Sequence, residues 1–122
     1  MLKLMSTAAV LTALALPGLA QEKLQLALVP KAMNNPFFDL ARDGCKKAAE
    51  EDASFECVYI GPGEHTELEQ IQIVQDLISQ GVDGIAVAPS NAPAMGKALQ
   101  AAADAGIPVI TWDSDVLPED KA

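Results

Sequence analysis

Two hydrophobic periodicities alternate along this chain. Nearly unbroken apolar runs occupy positions 24–29, 55–60, 84–88 and 107–112, and each has the length and content of a strand buried on both faces. Between them the apolar positions spread out to helical spacing. Asn35 and Pro36 have the chemistry of an N-cap and a first helical residue, which predicts a helix over 36–52 that buries Phe37, Leu40, Ala41, Cys45 and Ala48. Gly61, Pro62 and Gly63 close the second strand. Thr66 and Glu69 form a capping-box pair ahead of Leu68, Ile71, Val74, Leu77 and Ile78, and Gly81 ends that second helix. Asn91 and Pro93 open a third, alanine-rich helix that ends near Gly106.

The resulting order is β-α-β-α-β-α-β. Apolar strands joined through helices imply a parallel sheet with right-handed crossovers, an open Rossmann-like α/β domain with helices on both faces. In such sheets ligands sit beyond the carboxyl ends of the strands. Those ends are residues 31–35, 61–65, 89–91 and 113–115. The chain stops nine residues after Asp113 with no further helix. A sheet left unfinished in this way is expected of a truncated chain.

Residues 1–20 follow a different pattern. Lys3 is followed by an uncharged stretch over 4–16, then Pro17, Gly18 and Ala20. A basic start, a short apolar core and small residues at the end predict a secretory signal peptide cut after Ala20. The uncharged stretch is shorter than the ~20 residues needed to span a bilayer. The domain expected is therefore 21–122, exported and without a lipid-anchoring Cys in its leader.

Charge and cysteine content narrow the chemistry. Seventeen acids against eight bases give a formal charge of −9, which argues against nucleic acid as a partner, because phosphate binding needs clustered Lys and Arg. Export would put Cys45 and Cys57 in an oxidising compartment. Two readings stand: a disulfide between the first helix and the strand after it, or two small buried hydrophobes. The single His65 completes no zinc spacing.

Enzyme signatures are missing where they would be required. The loop after the first strand, 30–35, contains no Gly and so cannot bring backbone against a pyrophosphate. There is no phosphate-binding P-loop and no G-x-S-x-G elbow. Asp113 and Asp115, two acids at i, i+2, do not by themselves make a metal or acid–base site. No cofactor and no metal is expected. The rim suits binding instead. Lys31 and Asp113 supply fixed charges for hydroxyl groups, Asn35 a donor and an acceptor, and Phe37 and Phe38 flat faces for the C–H side of a ring. Asn91 and Asp115 lie on the same rim and complete the candidate ligand set. One of the two Phe is expected in the core, Trp112 under the rim, and Ser90 or Asn91 as helix caps.

Three segments carry a resemblance: LALVPKAMNNPFF at 26–38, QGVDGIAVAP at 80–89 and AGIPVITWD at 105–113. In this order they are similar to periplasmic sugar-binding proteins of the ribose-binding type, the receptors of ABC importers. The resemblance implies a periplasmic-binding-protein fold with two α/β lobes, of which this chain is like the amino-terminal one. It further implies a monomeric, non-enzymatic receptor that closes on a sugar or polyol and delivers it to a membrane permease. Delivery to a chemoreceptor or histidine kinase is the alternative within the same resemblance. By position, Asn35, Phe37, Phe38 and Asp113 match sugar contacts of ribose-type receptors, where Ser114 replaces an Arg. Lys31 and residues 111–115 are instead similar to the branch that binds rhamnose or the furanosyl autoinducer.

Overall fold

A computed structural model of the chain describes residues 20–121. The signal-peptide reading thus concerns residues that lie, up to position 19, outside the described part. Four strands, β1 (Leu24–Val29), β2 (Phe55–Tyr59), β3 (Gly84–Val87) and β4 (Val109–Thr111), alternate with three helices. These are α1 (Asp39–Glu51), α2 (Glu67–Gln80) and α3 (Ala92–Asp104), with 3₁₀ turns at Pro36–Phe38 and Pro118–Asp120. The strands are all parallel and run in the order β2-β1-β3-β4. The chain leaves β1 toward one side and returns from β2 to the other, so the topological switch point falls between β1 and β3. Ligand crevices form at such points.

Period two along the strands divides the sheet into two unequal faces. Ala27, Val29, Ile85 and Val87 point to one face and form the core with Val74 and Leu77 of α2 and Met95, Leu99 and Ala102 of α3. Leu26, Leu28, Cys57 and Ile110 belong to the other, and α1 lies on that side. α1 contains no buried residue. Leu40 is 81% exposed and Phe37 62%, which corrects the expectation that this helix buries them. The physical reason is placement: α1 lies over the edge strand β2 rather than over the centre of the sheet. Its attachment is covalent, through a disulfide between Cys45 and Cys57 with Cα atoms 5.8 Å apart.

The caps differ in part from those the sequence predicts. Asn35 and Asn91 both cap as expected, accepting from Phe37 N and Ala94 N. Thr66 occupies the N-cap of α2, but its side chain makes no cap bond, so the capping box does not form. Glu67 and Glu69 in the first turn still complement the helix dipole. Gly81 ends α2 in the left-handed region at φ 72°, a conformation that favours glycine. Leu68 is 74% exposed, and the buried stripe of α2 is Gln70, Val74 and Leu77. β4 is shorter than the apolar run because Pro108 has no N–H for a ladder; its carbonyl still accepts from Ile85 N at 3.0 Å.

Candidate functional site

The carboxyl ends of β1 and β4 bring the first two candidate residues together. Lys31 Nζ lies 2.9 Å from Asp113 Oδ2, and each side chain keeps about a quarter of its surface (24%) in solvent. Both border a cavity of about 340 Å³, which Asn34, Asn35, Phe37, Phe38 and His65 also line. Asp113 has φ 62°, the left-handed region that Asp and Asn enter more readily than other non-glycine residues. That turn follows directly on β4, where Trp112 N–H donates to Val87 O at 3.1 Å.

The aromatic residues divide their work. Phe38 is buried, packed edge-on between Phe37 at 5.1 Å and Trp112 at 5.7 Å between ring centroids. Phe37 projects into solvent beside the cavity. So Phe38 and Trp112 form the floor under the rim, and Phe37 offers the free aromatic face. Asn35 Oδ1 accepts from Phe37 N at 3.0 Å, which leaves its amide N–H groups as donors.

Two of the expected ligand residues, Asn91 and Asp115, do not meet in this cavity. Asn91 Oδ1 caps α3 through Ala94 N at 2.9 Å, and Asn91 is not among the cavity residues. Asp115 turns away altogether. Its Oδ1 accepts from Thr111 Oγ1 at 2.8 Å and from Val116 N at 2.9 Å, and its Oδ2 pairs with Lys121. The Lys121 ammonium and the Thr111 hydroxyl hold the Asp115 carboxyl below its ordinary pKa. Asp115 instead lines a larger groove of about 570 Å³ along the outer edge of β4, with Leu99, Ile107 and Val109. Larger volume does not make that groove the better site; the converging Lys31, Asn35 and Asp113 are at the smaller one. The exposed His65 also borders the smaller cavity. Among the described residues no three His, Cys, Asp or Glu side chains form a metal cluster.

Gln70, which the sequence did not single out, and Ser114 build the frame of the site. Gln70 is fully buried and donates through Nε2 to Pro30 O at 2.9 Å and to Ala88 O at 2.7 Å, while its Oε1 accepts from Ser90 N at 2.9 Å. Ser114 Oγ donates to Pro89 O at 2.8 Å. A polar residue four before Val74 on the buried stripe of α2 was the available signal for Gln70. Gly61 adds a third constraint. A Cβ there would stand 2.8 Å from the Pro30 ring, so only glycine lets the end of β2 approach the residue before Lys31.

Known proteins resemble this chain in sequence and in fold. Residues 26–122 match the family model described as a periplasmic binding protein domain. The D-ribose/D-allose-binding protein of Pseudomonas aeruginosa is 38% identical over 100 residues, covering 80% of this chain and 31% of the relative. The ribose import binding protein RbsB of Escherichia coli is 34% identical over 94 residues, covering 77% of this chain and 31% of the relative. Among solved structures, LsrB from Clostridium saccharobutylicum in complex with AI-2 superposes with a TM-score of 0.75 at 34% identity, covering 80% of this chain and 30% of that one. The chain thus spans about a third of the length of these relatives.

Proposed function

The chain belongs to the periplasmic binding protein family, and from that membership we propose that it is the amino-terminal lobe of a solute receptor for a small sugar or polyol. The observation that carries this reading is the Lys31–Asp113 pair at 2.9 Å beside the exposed face of Phe37. A hydroxyl both donates and accepts, so a cation and a carboxylate side by side serve neighbouring hydroxyls while their charges cancel. That balance suits a neutral ligand better than an anion or a cation. The Asn35 amide supplies further donors, and Phe37 packs on ring C–H groups. The sugar-binding relatives and the AI-2 complex support the ligand class.

In the full receptor a second lobe closes the cleft over this rim, and the closed form docks on the permease of an ABC importer. The protein works as a monomer in the periplasm, reached through a leader cut after Ala20. It carries out no chemical step on the ligand.

Two measurements on the native protein from a periplasmic extract test this. Intact mass should show a species about three times the size of this chain, with its amino terminus at Gln21. Calorimetric titration with D-ribose, D-allose and L-rhamnose should show saturable binding of at least one sugar. A native species no longer than this chain, or no heat with any of the three sugars, would overturn the reading.

A further inference from the structure

We propose that Gln70 is a positioning residue that sets where Lys31 stands relative to Asp113, and so which hydroxyl pattern the site accepts; this rests on the sugar-binding reading above. The backbone ladder between β1 and β3 ends where Ala88 N–H donates to Val29 O at 2.9 Å. One residue further on, the two strands are joined by the Gln70 amide instead. Its two N–H groups take the carbonyls of Pro30 and Ala88, and its carbonyl takes the amide of Ser90.

These bonds act through planar peptides. The Pro30 carbonyl belongs to the peptide that leads into Lys31, so holding that oxygen orients the Lys31 backbone. On the other strand, the peptide between Pro89 and Ser90 is gripped at both ends. Gln70 holds its N–H, and Ser114 Oγ holds its carbonyl at 2.8 Å. Ser114 is the neighbour of Asp113. A closed circuit results, from Lys31 through Pro30, Gln70, the Pro89–Ser90 peptide and Ser114 to Asp113, completed by the 2.9 Å ion pair. Gln70 is 0% exposed and, among the described residues, the one polar residue buried as a whole. No solvent reaches it to replace a lost bond, so the carbonyls it serves would be left unpaired. It is not among the residues that line the cavity, and its hydrogen bonds all go to these backbone groups.

The test uses the protein as the cell makes it, with Gln70→Met, which keeps the volume and removes the bonds, and Ser114→Ala, which cuts the same circuit from the rim. D-Ribose, D-allose and L-rhamnose are titrated calorimetrically well below each variant's melting temperature, and Ser90 amide exchange is followed by NMR. Positioning predicts at least about tenfold weaker binding of the preferred sugar in Q70M, with a changed ratio of affinities across the panel. It also predicts Ser90 exchange faster by about tenfold or more, while core amides such as those of Ile85 and Val87 change little. S114A should move the affinity ratio in the same direction by a smaller factor. Lowered melting temperature with unchanged affinities and ratios in both variants would reduce Gln70 to a structural role and overturn the proposal. If Q70M does not fold, S114A decides alone by the same criterion. If the unaltered protein binds none of the sugars, the functional reading fails; unchanged Ser90 exchange in the folded variant would then overturn the positioning role as well, and accelerated exchange would uphold the circuit.

Discussion

Lys31 Nζ meets Asp113 Oδ2 at 2.9 Å across the carboxyl end of β3, which lies between the strands that carry them. As a partly exposed ion pair it adds about 1 kcal/mol or less to stability, so folding alone does not need it. What it fixes is the spacing of a donor and an acceptor at the rim. Replacing Asp113 by Ala in the full receptor should weaken sugar binding by more than about tenfold, since ligand hydroxyls and Lys31 lose their partner. Calorimetry with the preferred sugar checks this, and an unchanged affinity would remove Asp113 from the site.

The backbone at Asp113 makes a separate prediction. At φ 62° a β-branched side chain crowds its own carbonyl, whereas Asn tolerates the turn. Asp113→Val should therefore cost about 1–2 kcal/mol more in urea unfolding than Asp113→Asn. Equal stability of the two variants would show that the left-handed turn is not maintained.

The Cys45–Cys57 bond closes a short loop, at a sequence separation of 12. Replacing both by Ala should cost about 3 kcal/mol by loop entropy. Because α1 buries no residue, the loss should be concentrated there. Hydrogen exchange should speed up in α1 and β2 first and leave α2 and α3 protected, and a uniform loss would contradict the tethering role.

Core and surface leucines should separate cleanly. Leu77→Ala, at 2% exposure, should cost about 2–4 kcal/mol, while Leu40→Ala, at 81%, should stay within about 0.5 kcal/mol. Thermal and denaturant unfolding of the two variants check both values. A large effect at Leu40 would mean that α1 is buried after all.

Acid should loosen the segment after β4. Asp115 has a lowered pKa, first from Lys121 and then from Thr111. A carboxylate of this kind contributes fully above its ordinary unfolded value and loses that contribution as pH falls through the lower folded one. The amide signal of Val116, which donates to Asp115, should therefore titrate below the ordinary carboxylate range, and Lys121→Met should move its midpoint upward. A midpoint unmoved by that substitution would break the assignment.

Much of this protein was determined by local pattern. Apolar runs of strand length, separated by helical spacing, dictate a parallel α/β sheet, because strands of that kind need cover on both faces. Asn35 and Asn91 as caps and Gly81 as a left-handed stop follow from side-chain and backbone chemistry at one position each. Lys31, Asn35, Phe37 and Asp113 were legible because parallel sheets gather their strand ends at one rim. Other features depended on which elements pack together, and no local pattern encodes that. The order β2-β1-β3-β4 put α1 over an edge, so Leu40 stayed in water although its spacing suits a buried face. Asp115, two residues from Asp113, turned to Thr111 and Lys121 because the backbone bends at Asp113. The Cys45–Cys57 pairing needed α1 and β2 side by side. Gln70 became a clamp only because the switch point leaves two backbone carbonyls beyond the last rung of the ladder, and a buried amide is the group that can satisfy both.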